Sequence, residues 1–206
     1  MIDAATGLQE RGHKVTIYTS HLDIGHCFDE ARDGKLLIDL ENKWLGRLNV
    51  KVLGNTIFPS NFLGRFTILC AILRQLHLSL SILFSSTPLP HDVLILDQLS
   101  SSIPLLRLRY PILFYCHFPD KLLARGREHW VKRLYRMPFD LFEEWTTDLA
   151  DSIVVNSLFT QSVFKDAFPH IEQRPDVIYP CVDTNLKPQF PDDSNTLNST
   201  LLSYLK

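Results

Sequence analysis

Three short apolar runs, each broken by polar residues at its carboxyl end, constrain this chain more than any other feature. Asp92-Val93-Leu94-Ile95-Leu96 stops at Asp97-Gln98, Ile112-Leu113-Phe114-Tyr115 stops before His117, and Ser152-Ile153-Val154-Val155 stops at Asn156-Ser157. Runs this short and this rich in β-branched and aromatic residues are strands, and a nearly continuous apolar pattern predicts parallel strands buried on both faces. Segments of helical composition separate them, which gives the strand-helix-strand repeat of a doubly wound, Rossmann-like α/β sheet. Ligands of such sheets bind in the crevice at the carboxyl ends of the strands, so His117, Asp120, Asp97, Asn156 and Ser157 become candidate site residues. At Asp97 a carboxylate capping the next helix competes with a ligand role, and Ser100, Ser101 and Ser102 are placed to cap a helix from Ile103.

The chain holds 206 residues, 45% hydrophobic and 21% charged, enough for a buried core. Its net charge of -2 gives no reason to expect nucleic acid as a partner. Cys27, Cys70, Cys116 and Cys181 form no C-x-x-C pair, so reduced thiols facing a cytosol-like compartment are expected. His21, His26 and Asp29 share a polar loop but lack the i, i+4 spacing of a helical zinc motif, and no metal site is expected.

Upstream, Met1 to Arg11 reads as a helix ended by Gly12 and followed by a strand over His13–Thr19; a second strand is expected over Leu48–Leu53. Phe62–Phe84 is apolar except for a polar stripe of Thr67, Arg74, His77 and Ser81. That pattern is an amphipathic helix, either covering the sheet or lying in a membrane interface. From Lys121 to Arg136 the chain is strongly basic, and a helix beginning near Pro138 would carry Asp140, Glu143, Glu144 and Asp148 with an apolar face of Phe139, Leu141, Phe142, Trp145 and Leu149. The basic run is either a solvated surface or a site for a phosphate-rich or membrane-surface ligand. A last strand is expected over Asp176–Tyr179. Residues 1–183 are expected to form one domain and 184–206 a linker or frayed tail.

The segments FYCHFPDKLLA, LYRMPFDLFEEWTTDLADSIVVNSLFTQSVFKDAFP, VIYPCVD and LQERGHKVTIYTSHLDIGHCFDE resemble the alpha-1,3/1,6-mannosyltransferases of the dolichol-linked oligosaccharide pathway. The likeness runs from Ile2 to about Asp183 and implies the acceptor-side, amino-terminal domain of a retaining GT-B glycosyltransferase. In that family a strand and a glycine-rich loop precede the first helix, and a second domain carries a glutamate-x7-glutamate motif. Neither is found in these 206 residues, so the domain is expected to be incomplete at its start and the chain to supply half of an enzyme.

The resemblance implies GDP-mannose as donor substrate, no cofactor and no protein-bound metal. It implies a mannosyl-chitobiose on dolichyl pyrophosphate as acceptor, at the cytosolic face of the endoplasmic reticulum membrane, with other early mannosyltransferases of the pathway as partners. His117 would stabilise the transferred sugar and developing charge. Asp120 and Lys121 would orient that edge, and Asn156, Ser157, His21 and Asp23 would line the cleft. Lys121, Arg125, Arg127, Lys132 and Arg133 are candidates for the acceptor pyrophosphate or an anionic lipid. The alternative is a catalytically inactive module that keeps membrane- and partner-binding surfaces.

Overall fold

The computed structural model describes residues 2–22, 48–53, 57–59, 67–84, 91–123 and 130–180, with backbone alone at 130–133 and 135. Helix α1 (Ile2–Glu10) ends at Gly12, whose φ of 88° lies in the left-handed region that glycine enters without a Cβ penalty. Strand β1 (Thr16–Thr19) follows and pairs in parallel with β2 (Asn49–Val52). Helix α2 (Thr67–Leu83) precedes β3 (Leu94–Asp97), a 3-10 turn (Ser100–Ser102) and α3 (Ile103–Leu106). Then come β4 (Ile112–Cys116), α4 (Asp120–Leu123), α5 (Trp130–Asp148), β5 (Ser152–Val155), α6 (Leu158–Ala167) and β6 (Asp176–Val177).

Strands β3, β4, β5 and β6 form one ladder in sequence order, each parallel to the next. The parallel α/β architecture read from the sequence is therefore present, although among the described residues the strands fall into two ladders. β4 lies inside its ladder, and Ile112, Phe114, Tyr115 and Cys116 are all buried. Ile112, Phe114 and Cys116 join Ile153 and Val155 of β5, Ile103 and Leu106 of α3, Phe164 of α6, and Phe168 and Ile171 in one core. Each fully buried side chain of this size contributes about 1.5–3 kcal/mol through removal of apolar area from water. Asp151 holds the start of β4 by accepting the Ile112 N–H at 2.7 Å.

Several expectations change. β3 alternates in exposure, with Ile95 41% exposed, because it is the edge of its ladder among the described strands and lacks a neighbour on one side. The three serines do not cap α3. They form the 3-10 turn and are buried, small enough to let α2 and α5 approach, with Ser100 Oγ 2.7 Å from Thr146 Oγ1. Helix α5 begins eight residues before Pro138, which sits inside it. Proline there removes only one backbone bond, to the carbonyl four residues back, and packing on α4 and the 3-10 turn continues the helix past it. Its buried face differs from the expected one: Leu141 and Trp145 point to solvent, while Glu144, Thr146 and Thr147 are buried.

Two members of the polar stripe of α2 meet protein, while Thr67 is exposed. Arg74 donates to Ser20 Oγ at 3.0 Å, and His77 packs edge-on against Phe58. With Cys70, Leu78 and Ser79 buried, α2 packs against the 3-10 turn and α3, while Leu69 and Leu80 stay exposed. No described helix is long and apolar enough to cross a membrane. β1 starts three residues later than expected and β6 is two residues long. The tail after residue 183 lies outside the described residues.

Candidate functional site at the strand ends

Three neighbouring strands deliver polar side chains to one edge. β3 ends in Asp97, and the next residue, Gln98, has φ 66°, a left-handed conformation that costs a non-glycine residue about 1–2 kcal/mol. Its N–H donates to the Tyr115 carbonyl at 3.0 Å, while the Leu99 N–H closes on the Asp97 carbonyl at 2.8 Å. The chain therefore turns sharply after Asp97 and holds that carboxylate at the sheet edge. Sequence patterning gave no signal for this turn, since glutamine is not a residue that favours it.

β4 delivers His117 beside it: His117 Nε2 lies 2.8 Å from Asp97 Oδ1, with the two side chains 42% and 44% exposed. A carboxylate at Nε2 keeps a proton on that nitrogen and leaves Nδ1 of the neutral ring as an acceptor. The imidazole also packs edge-on to Tyr115, with ring centroids 4.8 Å apart. Asp97 thus serves neither as helix cap nor as an isolated carboxylate. It orients the histidine.

β5 delivers Asn156 and Ser157. Ser157 caps α6, its Oγ accepting the Thr160 N–H at 3.1 Å. Asn156 Oδ1 accepts from Thr160 Oγ1 at 2.6 Å and from Ser157 Oγ at 3.1 Å. Both acceptor demands fall on the carboxamide oxygen, which leaves the amide nitrogen as the donor available to a ligand. Thr160 Oγ1 also reaches the His117 carbonyl at 3.4 Å, so the ends of β4 and β5 are tied through one hydroxyl.

Cys116, between these residues, is no nucleophile. Burial pushes its thiol up to about 12, and the Glu143 and Asp120 carboxylates add to the rise.

The other half of the HFPDK motif turns inward. Pro119 is fully buried, and Asp120 opens α4 with Oδ1 accepting from Gln98 Nε2 at 2.6 Å. The Glu143 carboxylate of α5 accepts the Asp120 N–H at 2.7 Å and the Lys121 N–H at 2.9 Å, capping α4 across space. Burial, aided by the charge of Asp120, lifts Glu143 to about 7 despite those two donors. Burial likewise raises Asp120, against the hydrogen bond from Gln98 and the charge of Arg136. Arg136 Nη2 lies 3.6 Å from Asp140 Oδ1, and Ile68, Ile72, Ser101 and Arg136 enclose a cavity of about 30 Å³ next to these carboxylates.

Lys121 is also committed within the fold. Its ammonium lies 3.5 Å from Glu144 Oε2 and 4.5 Å over the Phe168 ring, with the paired side chains only 14% and 11% exposed. Burial alone would raise the Glu144 carboxyl, but the N–H and imidazole of His170 and the charge of Lys121 outweigh it and hold it low. The expectation that Asp120 and Lys121 face a ligand is thereby redirected: the tight turn at Phe118-Pro119 sends them beneath the edge.

His21 lies just past β1, where its N–H meets Thr19 Oγ1 at 3.3 Å, in the other ladder from His117. Asp23, His26, Asp29, Arg125 and Arg127 lie outside the described residues, as do the side chains of Lys132 and Arg133. No cluster of three or more potential metal ligands occurs among the described residues. The edge presents an acceptor nitrogen on His117, a donor nitrogen on Asn156 and a carboxylate behind them, groups that can pair with hydroxyls.

A family model described as Glycosyltransferase Family 4 matches residues 1–186. The chain is similar to the alpha-1,3/1,6-mannosyltransferase alg-2 of Neurospora crassa, 49% identical over 95% of this chain and 41% of that protein. It is 50% identical to the alpha-1,3/1,6-mannosyltransferase ALG2 of Debaryomyces hansenii over 90% of this chain and 37% of that one. It is 44% identical to the ALG2 of Candida albicans, with 100% of this chain and 44% of that one covered. The likeness read from FYCHFPDKLLA and its companion segments is borne out, and the chain spans less than half the length of these curated relatives. No solved structure matches it.

Proposed function

Because the chain belongs to glycosyltransferase family 4 and has the parallel α/β build of the amino-terminal, Rossmann-like domain of a GT-B fold, we propose that it is the acceptor-side half of a mannosyltransferase. The reaction moves mannose from GDP-mannose to a mannosyl-chitobiose carried on dolichyl pyrophosphate, first in α-1,3 and then in α-1,6 linkage. The setting is the cytosolic face of the endoplasmic reticulum membrane, beside the other early mannosyltransferases of the pathway.

The observation that carries this reading is the Asp97–His117 pair at the ends of adjacent parallel strands, 2.8 Å apart and open to solvent. In this reading Asp97 fixes the ring so that Nδ1 can meet a sugar hydroxyl, and His117 offsets the charge that develops as the donor's glycosidic bond breaks. Asn156 supplies a complementary donor to a second hydroxyl. No cofactor or metal is assigned a role.

The test is an assay of the chain with GDP-mannose and a lipid-linked trisaccharide, alone and with the carboxyl-terminal half of a relative. Transfer is expected only when both halves are present, and His117→Ala is expected to abolish it. Transfer by the chain alone would remove the division of labour. A second reading, an interaction module without activity, is favoured by Leu134, Met137, Leu141 and Trp145, which lie exposed along one side of α5. It gains if the reconstituted halves associate and transfer nothing.

A further inference from the structure

Beside His117, two aromatic rings stand nearly parallel. Phe118, the residue after the histidine, and Phe159, in the first turn of α6, have 18° between their planes and centroids 6.5 Å apart. Phe118 is half-buried, whereas Phe159 is 68% exposed and its neighbour Leu158 is 62% exposed. Single exposed apolar residues are ordinary on protein surfaces. Here the exposed ring is held by a built frame. Ser157 and Thr160 flank it, fixed by the cap bond at 3.1 Å, and Thr160 joins Asn156 Oδ1 at 2.6 Å and the His117 carbonyl at 3.4 Å. The network that sets the polar groups of the edge also anchors the first turn of α6, which carries Phe159.

An apolar plate next to a hydrogen-bond acceptor on His117 and a donor on Asn156 suits a ligand with one apolar face and a polar rim. A pyranose ring has both. Its C–H bonds on one face carry partial positive charge and meet the negative face of an aromatic ring, while its hydroxyls radiate sideways. A flat charged ligand would leave the phenyl face unused, and among the described side chains at this edge there is no lysine or arginine to neutralise it: Lys121 is bound to Glu144 and Arg136 to Asp140.

We propose that Phe159, backed by Phe118, is a stacking platform for a pyranose ring of the acceptor saccharide, with His117 and Asn156 reading the hydroxyls at its rim. This rests on the acceptor-side reading given above and adds to it a residue that fixes where the acceptor's sugar lies. Phe159 touches substrate without taking part in bond breaking, so its removal weakens acceptor binding and leaves donor recognition intact.

The experiment titrates the chain with soluble β-mannosyl-chitobiose, following saturation-transfer and chemical-shift changes by NMR. Phe159→Ala is expected to raise Kd by about tenfold, since losing an aromatic contact and its buried area removes on the order of 1.4 kcal/mol. Phe159→Leu should give an intermediate loss, and Phe159→Tyr should remain near the parent. Circular dichroism should be unchanged in all three, because the side chain is largely outside the core. If Phe159→Ala binds as the parent does while His117→Ala weakens binding, the platform is overturned and the acceptor-side reading stands. If Phe159→Ala weakens binding while His117→Ala does not, the platform stands and the role of His117 falls. Absence of saccharide binding by the parent chain overturns both. An isoprenyl phosphate that binds in a Phe159-dependent way, where the saccharide does not, would assign the plate to lipid and overturn the sugar proposal.

Discussion

Within five residues, His117 to Lys121, the chain passes from one kind of polar environment to another. His117 and Asp97 meet water, each a little under half exposed, and their partners leave hydrogen-bonding capacity unspent. Asp120 and Lys121, directly after, are folded under the edge, where Gln98, Glu143 and Glu144 consume theirs. The same residue types therefore do two jobs. At the outer edge a charge is half hydrated and can exchange water for a ligand. In the inner seam a charge has lost its water and must be matched by the fold itself, or its burial becomes a large penalty. The contrast makes opposite forecasts for stability and for binding.

The largest stability effect should come from the inner seam. Glu143→Ala leaves the Asp120 and Lys121 N–H groups without their acceptor, and at roughly 1–3 kcal/mol per unsatisfied buried group the loss should be on the order of 3 kcal/mol, read as a lower urea midpoint. The same carboxyl gives the seam a pH signature. Its value in the fold is about 7 against an ordinary 4.5, raised by burial, so the folded state binds its proton more tightly than the unfolded chain does. Its stabilising contribution is complete below about 4.5 and is lost as pH rises towards about 7. Asp120, raised for the same reason, acts in the same direction. Glu143→Gln should flatten the decline in melting temperature across that window; an unchanged slope would mean that Glu143 is hydrated in solution.

Lys121→Ala should cost about 2 kcal/mol, less than a fully broken buried pair, because His170 continues to hold Glu144. Thermal denaturation measures it. A variant as stable as the parent would return Lys121 to the outer group and restore it as a candidate for the acceptor's phosphates.

The sequence could show where strands end but not which way each residue after them turns. The runs 92–96, 112–115 and 152–155 revealed the parallel ladder because apolar residues beside one another in sequence stay buried together whatever the loops do. His117 and Ser157 were legible for the same reason, standing at the first polar position after a strand or at a helix cap with its own chemistry. Asp120 and Lys121 were misplaced because their direction depends on Glu143 and Glu144, more than twenty residues on, and no local pattern encodes that. Gln98 was invisible because its left-handed turn is imposed by the tertiary bonds to Phe118 and Asp120. Phe159 carried no signal of its own, since periodicity cannot tell a ring packed inward from one held out.

At the boundary between the two regions, Ser157→Ala should destabilise by about 1 kcal/mol, the usual value of a lost helix cap. It also frees Asn156, whose oxygen loses one of its two hydroxyl donors. If the outer edge is a ligand site held by this frame, Ser157→Ala should weaken saccharide binding more than its modest effect on the melting temperature suggests. Equal, small changes in both would reduce Ser157 to a cap alone.

The smallest stability effect should come from Asp97→Ala. An ion pair or hydrogen bond between two groups this exposed is screened by water and contributes under about 1 kcal/mol, so the melting temperature should scarcely move. Function should respond far more. Without the carboxylate, His117 loses the contact that keeps a proton on Nε2 and fixes the ring, and Nδ1 is no longer held as the acceptor facing the ligand. A misoriented group at a transfer site is costly, and transfer by the reconstituted halves should fall on the order of tenfold or more. Asp97→Asn should lie between, since its carboxamide oxygen can still accept from Nε2 without the charge. A melting temperature that drops as far for Asp97→Ala as for Glu143→Ala would erase the distinction between the two regions, placing His117 and Asp97 in the scaffold and leaving the edge without its reader.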